Sequence, residues 1–230
     1  MPDPTPAEKF IRACIKGDLD QVKDLREQGI SVDSRWQSST GLMWAAMENH
    51  PEIVAYLLSQ QADINLRNDS GYTALMYAAE SDRRAMIATL LDQGADITGQ
   101  NAYQETVLMM MARNGETDIV ERLIKMGADV TLTNRIGDTA LYLAVDNGHL
   151  YTVKSLIQAG AGVNTRNIGN WTPLIMAAAR GDLSIISLLI ENGADLTAVN
   201  RQGRTALDEA KDSFRAPAAI ALLKQAGAAQ

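Results

Sequence analysis

Threonine recurs at Thr40, Thr73, Thr106, Thr139, Thr172 and Thr205, 33 residues apart each time. Leucine follows two positions later, at Leu42, Leu75, Leu108, Leu141, Leu174 and Leu207. The same interval separates Asn68, Asn101, Asn134, Asn167 and Asn200, and likewise Leu57, Leu90, Leu123, Leu156 and Leu189. Gly94, Gly127, Gly160 and Gly193 add a fifth column. Such a chain builds one short unit many times. Because a unit this small cannot bury its apolar face alone, the copies must stack.

Each column has a physical reason. The threonine hydroxyl caps a helix by accepting from an orphan N–H of the first turn, and Pro173 stands where a helix tolerates proline best. Small residues follow, as in Leu42-Met43-Trp44-Ala45-Ala46 and Leu75-Met76-Tyr77-Ala78-Ala79, so that neighbouring helices approach closely. A turn is expected at Gly115, Gly148 and Gly181. A second helix then carries apolar residues at i, i+3 and i+4, as in Ile53, Val54, Leu57 and Leu58, or Ile119, Val120, Leu123 and Ile124. It ends at a glycine suited to the left-handed C′ position. The segment Ala95-Asp96-Ile97 leads on to Asn-x-x-Gly, a tight-turn signal that predicts a hairpin-like finger between copies.

Composition agrees with helix on helix. Hydrophobic residues make up 46% of the chain but aromatics only 5%. The net charge of −7 and pI of about 4.9 argue against nucleic acid and anionic membrane as partners. Cys14 is the single cysteine, so no intrachain disulfide forms. The acidic, proline-bearing N-terminus is unlike a signal peptide, and no apolar run approaches the ~20 residues of a membrane span. These features predict a soluble, cytoplasmic monomer, the alternative being a secreted effector without a classical signal.

Thr172-Pro173-Leu174, Ala177-Ala178, Gly181-Asp182, Leu188-Leu189-Ile190 and Gly193-Ala194-Asp195 together resemble the ankyrin repeat. The likeness runs from about residue 7 to 228. It implies an all-α, curved ankyrin-repeat solenoid of stacked antiparallel helix pairs with β-hairpin-like fingers. The register divides the chain into a single domain of about seven repeats: an N-terminal cap at 7–35, then 36–68, 69–101, 102–134, 135–167 and 168–200, and a C-terminal cap at 201–230. The first unit is polar outside through Glu8, Lys9, Arg12 and Lys16, and its finger is one residue short. The last unit places Asp208 and Glu209 where inner copies are apolar and has an extra residue around Ser213 to Pro217. The array is therefore expected to be complete at both ends.

The sequence departs from the family pattern in three ways. Met43, Met76, Met109, Tyr142, Ile175 and Asp208 stand where the family usually has histidine. Gln61 replaces a helix-ending glycine. Gln104 and Asn170 replace the finger glycine, and because glutamine tolerates positive φ poorly the finger holding Gln104 is expected to be distorted or mobile.

Little remains for chemistry. His50 and His149 occupy equivalent places after the inter-helix turn and read as structural. Cys14 lies in the small-residue column and reads as an inert buried thiol. Gly160-Ala161-Gly162 follows a helix rather than a strand, so it is no phosphate loop. Asp63, Asp96, Asp129 and Asp195 share a turn column and read as solvated surface or helix-end hydrogen bonding. In Met109-Met110-Met111 the outer two belong to packing, and Met110 alone is expected to reach the inner face. No catalytic residue, cofactor or metal site is expected.

The resemblance implies binding through the finger tips and the inner face of the first helices, places the scaffold leaves variable. Trp36, Ile168 and Arg135 lie four before the threonine, and Tyr103 three before it. Tyr72, Trp171 and Arg204 lie directly before it, Trp44, Tyr77 and Met110 four after it, and Arg180 further along the helix. All three tryptophans fall in these rows, and Trp and Tyr are the side chains protein interfaces favour. The function expected is that of a non-catalytic protein-interaction module, an adaptor, inhibitor or effector. Its competitors are an enzyme or ligand-binding protein using the groove and a structural scaffold without a specific partner.

Overall fold

The computed structural model describes residues 3–213 and 215–227. Residues 228–230 of the expected C-terminal cap, and Phe214 within its insertion, lie outside the described residues. Two compact units emerge, Met1–Ala102 and Tyr103–Gln230. The first comprises α1 (Pro6–Lys16), α2 (Leu19–Glu27), β1 (Arg35–Trp36), β2 (Ser39–Thr40), α3 (Gly41–Met47), α4 (Pro51–Ser59), α5 (Ala74–Glu80) and α6 (Arg84–Asp92). The second comprises α7 (Val107–Asn114), α8 (Thr117–Lys125), α9 (Ala140–Asp146), α10 (Leu150–Gln158), α11 (Pro173–Arg180), α12 (Leu183–Glu191), α13 (Ala206–Ala210) and α14 (Ala216–Gln225). No helix among the described residues is long and apolar enough to cross a membrane.

Within the first unit α1 packs on α3 and α3 on α5, while α2 lies against α4. The second unit repeats this, with α7, α9, α11 and α13 in one row and α8, α10, α12 and α14 in another. Each first helix also packs on the second helix of its own copy. The periodic leucines Leu42, Leu57, Leu75, Leu90, Leu108, Leu123, Leu141, Leu156, Leu174, Leu189 and Leu207 are buried, and Ala45, Ala46, Ala78, Ala79, Ala177 and Ala178 are inaccessible. The small column thus sets how closely first helices approach. In the first copies the same fit is made by a pair: a Cβ on Gly41 would stand 2.8 Å from the Cys14 sulfur. Burial pushes the Cys14 thiol up to about 12, so it is held as a packed, unreactive group.

Every threonine of the column, with Thr5 ahead of it, accepts from the backbone N–H three residues on. Asp208 turns the last cap into a reciprocal box by accepting from the Thr205 N–H at 3.1 Å. A Lys211 hydrogen bond and the Thr205 donors bring its carboxyl down to about 2.

The histidines are braces between copies. His50 Nε2 lies 2.9 Å from the Ile15 carbonyl, and His149 Nε2 2.9 Å from that of Arg113. Gly17 and Gly115 leave room for these rings, since a Cβ there would meet them within 2.7 and 2.5 Å. In the third copy Arg83 does the same work, its Nε donating to the Met47 carbonyl at 3.2 Å.

The glycine replacements keep the backbone shape. Gln61, Gln104 and Asn170 have φ of 63°, 59° and 58°, beside 75° and 81° at Gly71 and Gly137. The finger holding Gln104 therefore takes the left-handed conformation at its turn instead of the expected distortion. That conformation costs a β-carbon-bearing residue about 1–2 kcal/mol. Gln104→Gly is expected to raise the unfolding free energy by about 1 kcal/mol after the added chain entropy of glycine, measured by urea titration; a loss of stability would show that the glutamine side chain makes a compensating contact.

Deleting one residue from the first finger has a defined result. The later fingers close three-residue loops, with Asn68 N–H bonded to the Tyr72 carbonyl and Asn134 N–H to that of Asp138. In the first, Arg35 pairs with Thr40 and Trp36 with Ser39, leaving only Gln37 and Ser38 in the loop, both at positive φ. This is a primed hairpin turn made without the usual Asn-Gly.

Candidate protein-binding surface

The finger asparagine is the pivot of each tip. Asn134 Oδ1 accepts from the N–H groups of Ile136 and Asp138, and Asn167 Oδ1 from those of Gly169 and Trp171. Asn68 and Asn200 repeat the arrangement. The amide nitrogen then reaches sideways. Asn68 Nδ2 donates to Tyr77 Oη at 2.9 Å and to Ser39 Oγ at 3.3 Å. Asn167 Nδ2 donates to Asp138 Oδ1 at 2.9 Å, and Asn200 Nδ2 to Glu209 Oε1 at 2.8 Å. Single backbone bonds tie neighbouring tips: Ala102 N–H to Ser70, Arg135 N–H to Tyr103, Ile168 N–H to Ile136, and Arg201 N–H to Gly169. Within each unit the tips are thus tied to one another as the helices behind them are packed.

In the first unit the expected aromatics come together. Trp44 and Tyr77 stack with ring centroids 6.2 Å apart, and Tyr72 leans on Tyr77 at 5.3 Å. All three are half-buried. Trp36 stands apart under the Arg12 guanidinium, 5.5 Å from the ring. These aromatics were expected to be unneeded by the scaffold, but Tyr77 is also structural through its hydroxyl.

In the second unit three of the exposed apolar side chains sit at the tips, with Met126, Tyr151 and Val199 exposed elsewhere. Tyr103, Ile136 and Ile168 are 58%, 50% and 55% exposed. A slot of about 280 Å³ opens between two tips, lined by Tyr103, Glu105, Asn134, Arg135 and Ile136. Trp171 is half-buried and Arg180 exposed, its guanidinium lying against Gly148. Met110 is buried at 3% exposure, and so does not reach the inner face as its register suggested. Met109 and Met111 are core, as expected. Arg204 is bound to its own cap through Glu209 at 3.0 Å, Asp212 and the Asp208 carbonyl, which leaves it little to offer a partner. Glu105 is likewise ion-paired with Arg113.

Ile136 is the tip residue that register alone undervalued. Its signal was an isoleucine between Asn134 and Gly137, at a turn position that holds Gln37, Ser70 and Gln202 in other copies. Tyr151, 75% exposed on α10, had no such marker.

The displaced titratable groups are explained by local bonding. Thr98, Thr131 and Thr197 donate N–H and hydroxyl to Asp96, Asp129 and Asp195, lowering those carboxyls. The turn aspartates therefore brace their own turns, each accepting from the residue two on. Asp138 is the exception. It is 4% exposed, and burial, with Asp146 nearby, raises its carboxyl above the ordinary value. Burial first, then these two aspartates, push the Tyr142 phenol up as well.

Rows of capped helix pairs joined by asparagine-braced fingers define a helical repeat protein whose variable residues face outward from the tips and first helices. This chain belongs to the ankyrin repeat family: the family's model matches three times, over residues 10–101, 98–167 and 151–229. Among solved structures, the human ASB11 ankyrin repeat domain superposes with a TM-score of 0.79 at 27% identity, covering 93% of this chain and 96% of that one. The ankyrin repeat domain of Bcl-3, a member of the IkappaB protein family, gives 0.77 at 27% identity, with 94% and 97% covered. A palmitoyltransferase AKR1 of Eremothecium gossypii is 42% identical over 69 residues, 28% of this chain and 9% of that protein. The chain thus spans about a tenth of that relative. Ankyrin repeats are generally protein-interaction modules, and the fold is typically non-catalytic.

Proposed function

We propose that this chain is a non-catalytic, cytoplasmic module that binds a partner protein through its finger tips and the inner face of its first helices, as an adaptor, inhibitor or effector. The seven repeats, from 7–35 to 201–230, act as one binding domain that works as a monomer and takes neither nucleic acid nor membrane. The observation that carries this reading is the exposure of Tyr103, Ile136 and Ile168 at neighbouring tips. A row of exposed apolar side chains at turn tips is what a protein partner covers. Trp36, Trp44, Tyr72, Tyr77, Arg135, Trp171 and Arg180 extend the candidate surface, with Arg204 a lesser contributor because of its ion pairs and Met110 set aside because it is buried.

The test is affinity capture from the source organism's lysate with wild type and with Tyr103→Ser, Ile136→Ser and Ile168→Ser combined, read by mass spectrometry. These exposed sites are each expected to change stability by no more than about 0.5 kcal/mol. The captured partner should be lost or weakened about tenfold or more by the triple variant. Equal capture would remove the tips from the binding surface.

A further inference from the structure

The tips of the second unit alternate in character. At the first junction Arg135 is bonded to Tyr103, at the next Ile168 to Ile136, and at the third Arg201 to Gly169. The order along the strip is therefore basic, doubly apolar, basic. Arg135 and Arg201 are exposed, and their side chains make no hydrogen bond or ion pair among the described residues. This sets them apart from Arg113, Arg166 and Arg204, which are all ion-paired within the unit. Two unpaired cations in a chain of net charge −7 form a local basic feature against the overall field.

Spacing adds a second constraint. Packed helices lie about 8–10 Å apart, so successive junctions recur at about that interval. A polyproline-II segment has three residues per turn at about 3.1 Å each, so residues three apart share one face at about 9 Å. One turn of such a segment matches one repeat. A β-strand fails the match, because residues three apart point to opposite faces.

Resting on the partner-binding reading above, we infer that this strip docks an extended, polyproline-II-like protein segment with an apolar residue flanked three positions on either side by acidic residues. The apolar side chain covers Ile136 and Ile168, and the carboxylates meet Arg135 and Arg201.

The experiment uses the full chain with labelled isoleucine methyl groups and an end-blocked peptide, Glu-Pro-Pro-Leu-Pro-Pro-Glu, followed by NMR titration. The expected result is saturable shifts at Ile136 and Ile168. Binding should fall about tenfold or more for the lysine-for-glutamate peptide, for Glu-Pro-Leu-Pro-Pro-Pro-Glu, and for the Arg135→Ala, Arg201→Ala variant, and it should weaken with added salt. No shifts, shifts centred on other isoleucines, or equal binding of the control peptides would overturn the inference. So would equal binding of a helical peptide with the same three residues spaced seven apart. A partner captured through Tyr103, Ile136 and Ile168 but indifferent to the arginine variant would leave the interaction reading standing and remove this one.

Discussion

Replacing Asn167 by alanine is expected to cost about 2–4 kcal/mol of folding stability, the loss of one charged hydrogen bond together with a finger stripped of its bracing acceptor. Asn167 Oδ1 holds the N–H groups of Gly169 and Trp171, and Nδ2 donates to Asp138. No other side chain in the finger supplies both an acceptor inward and a donor sideways, which is why this column is asparagine. The effect depends on pH. Burial raises the Asp138 carboxyl, so its protonated form fits the folded chain better than its carboxylate. Stability from this group is therefore complete below the ordinary carboxylate value of ~3.9 and lost as pH rises through the higher folded value. Without the Asn167 amide the carboxylate is worse served still. The deficit of Asn167→Ala should then be larger at pH 7 than at pH 4 in urea unfolding. Equal deficits at both would mean that Asp138 draws nothing from Asn167.

Ala178→Leu should cost about 1–3 kcal/mol by overpacking. Ala178 is inaccessible on α11, which is flanked by α9 and α13. Its counterparts are Ala46, Ala79, Ala112 and Val145, so nothing larger than valine occupies this place before the last copy. Leucine could be admitted only by separating first helices and loosening contacts on both sides. Chemical denaturation reads the change directly; a neutral result would mean that the space beside α11 is not closed. The adjoining column is more tolerant, since Met111 fills it in the fourth repeat at no exposure.

The scaffold was legible because each of its residues is required by a local rule that repeats. Thr40 and its successors cap, the leucines pack, the alanines admit a neighbour, and the asparagines shape a turn. Repetition at a fixed interval turned weak local signals into a register. Thr5 and Pro6 open α1 by the same rules. The departures were less transparent. Gln104 looked like a break because glutamine resists positive φ, but the finger's bonding to its neighbours holds the turn in shape at the expense of strain. The short first finger signalled an irregularity, and its outcome, a two-residue hairpin through Gln37 and Ser38, depended on pairing that no single residue advertises.

The surface was legible by row and not by residue. Register placed Met110 and Tyr77 in one inner-face column, but Met110 is buried and Tyr77 is half-buried and hydrogen-bonded. Register likewise placed Arg204 and Trp171 alike, yet the cap's own Glu209 and Asp212 claim the arginine. Reach, burial and ion pairing depend on the neighbours each side chain meets, and those differ from copy to copy. The proposed surface accordingly places its emphasis on the tips at Tyr103, Ile136 and Ile168, which are exposed, more than on the half-buried inner aromatics.

Hydrogen exchange of the chain with and without its captured partner tests the central claim most directly. If the partner sits on the tips and first helices, amides in 101–105, 134–138 and 167–171 and in α9 and α11 exchange more slowly in the complex, while those of α8, α10 and α12 are unchanged. Protection confined to α8, α10 and α12 would place the partner on the opposite row of helices and contradict the account.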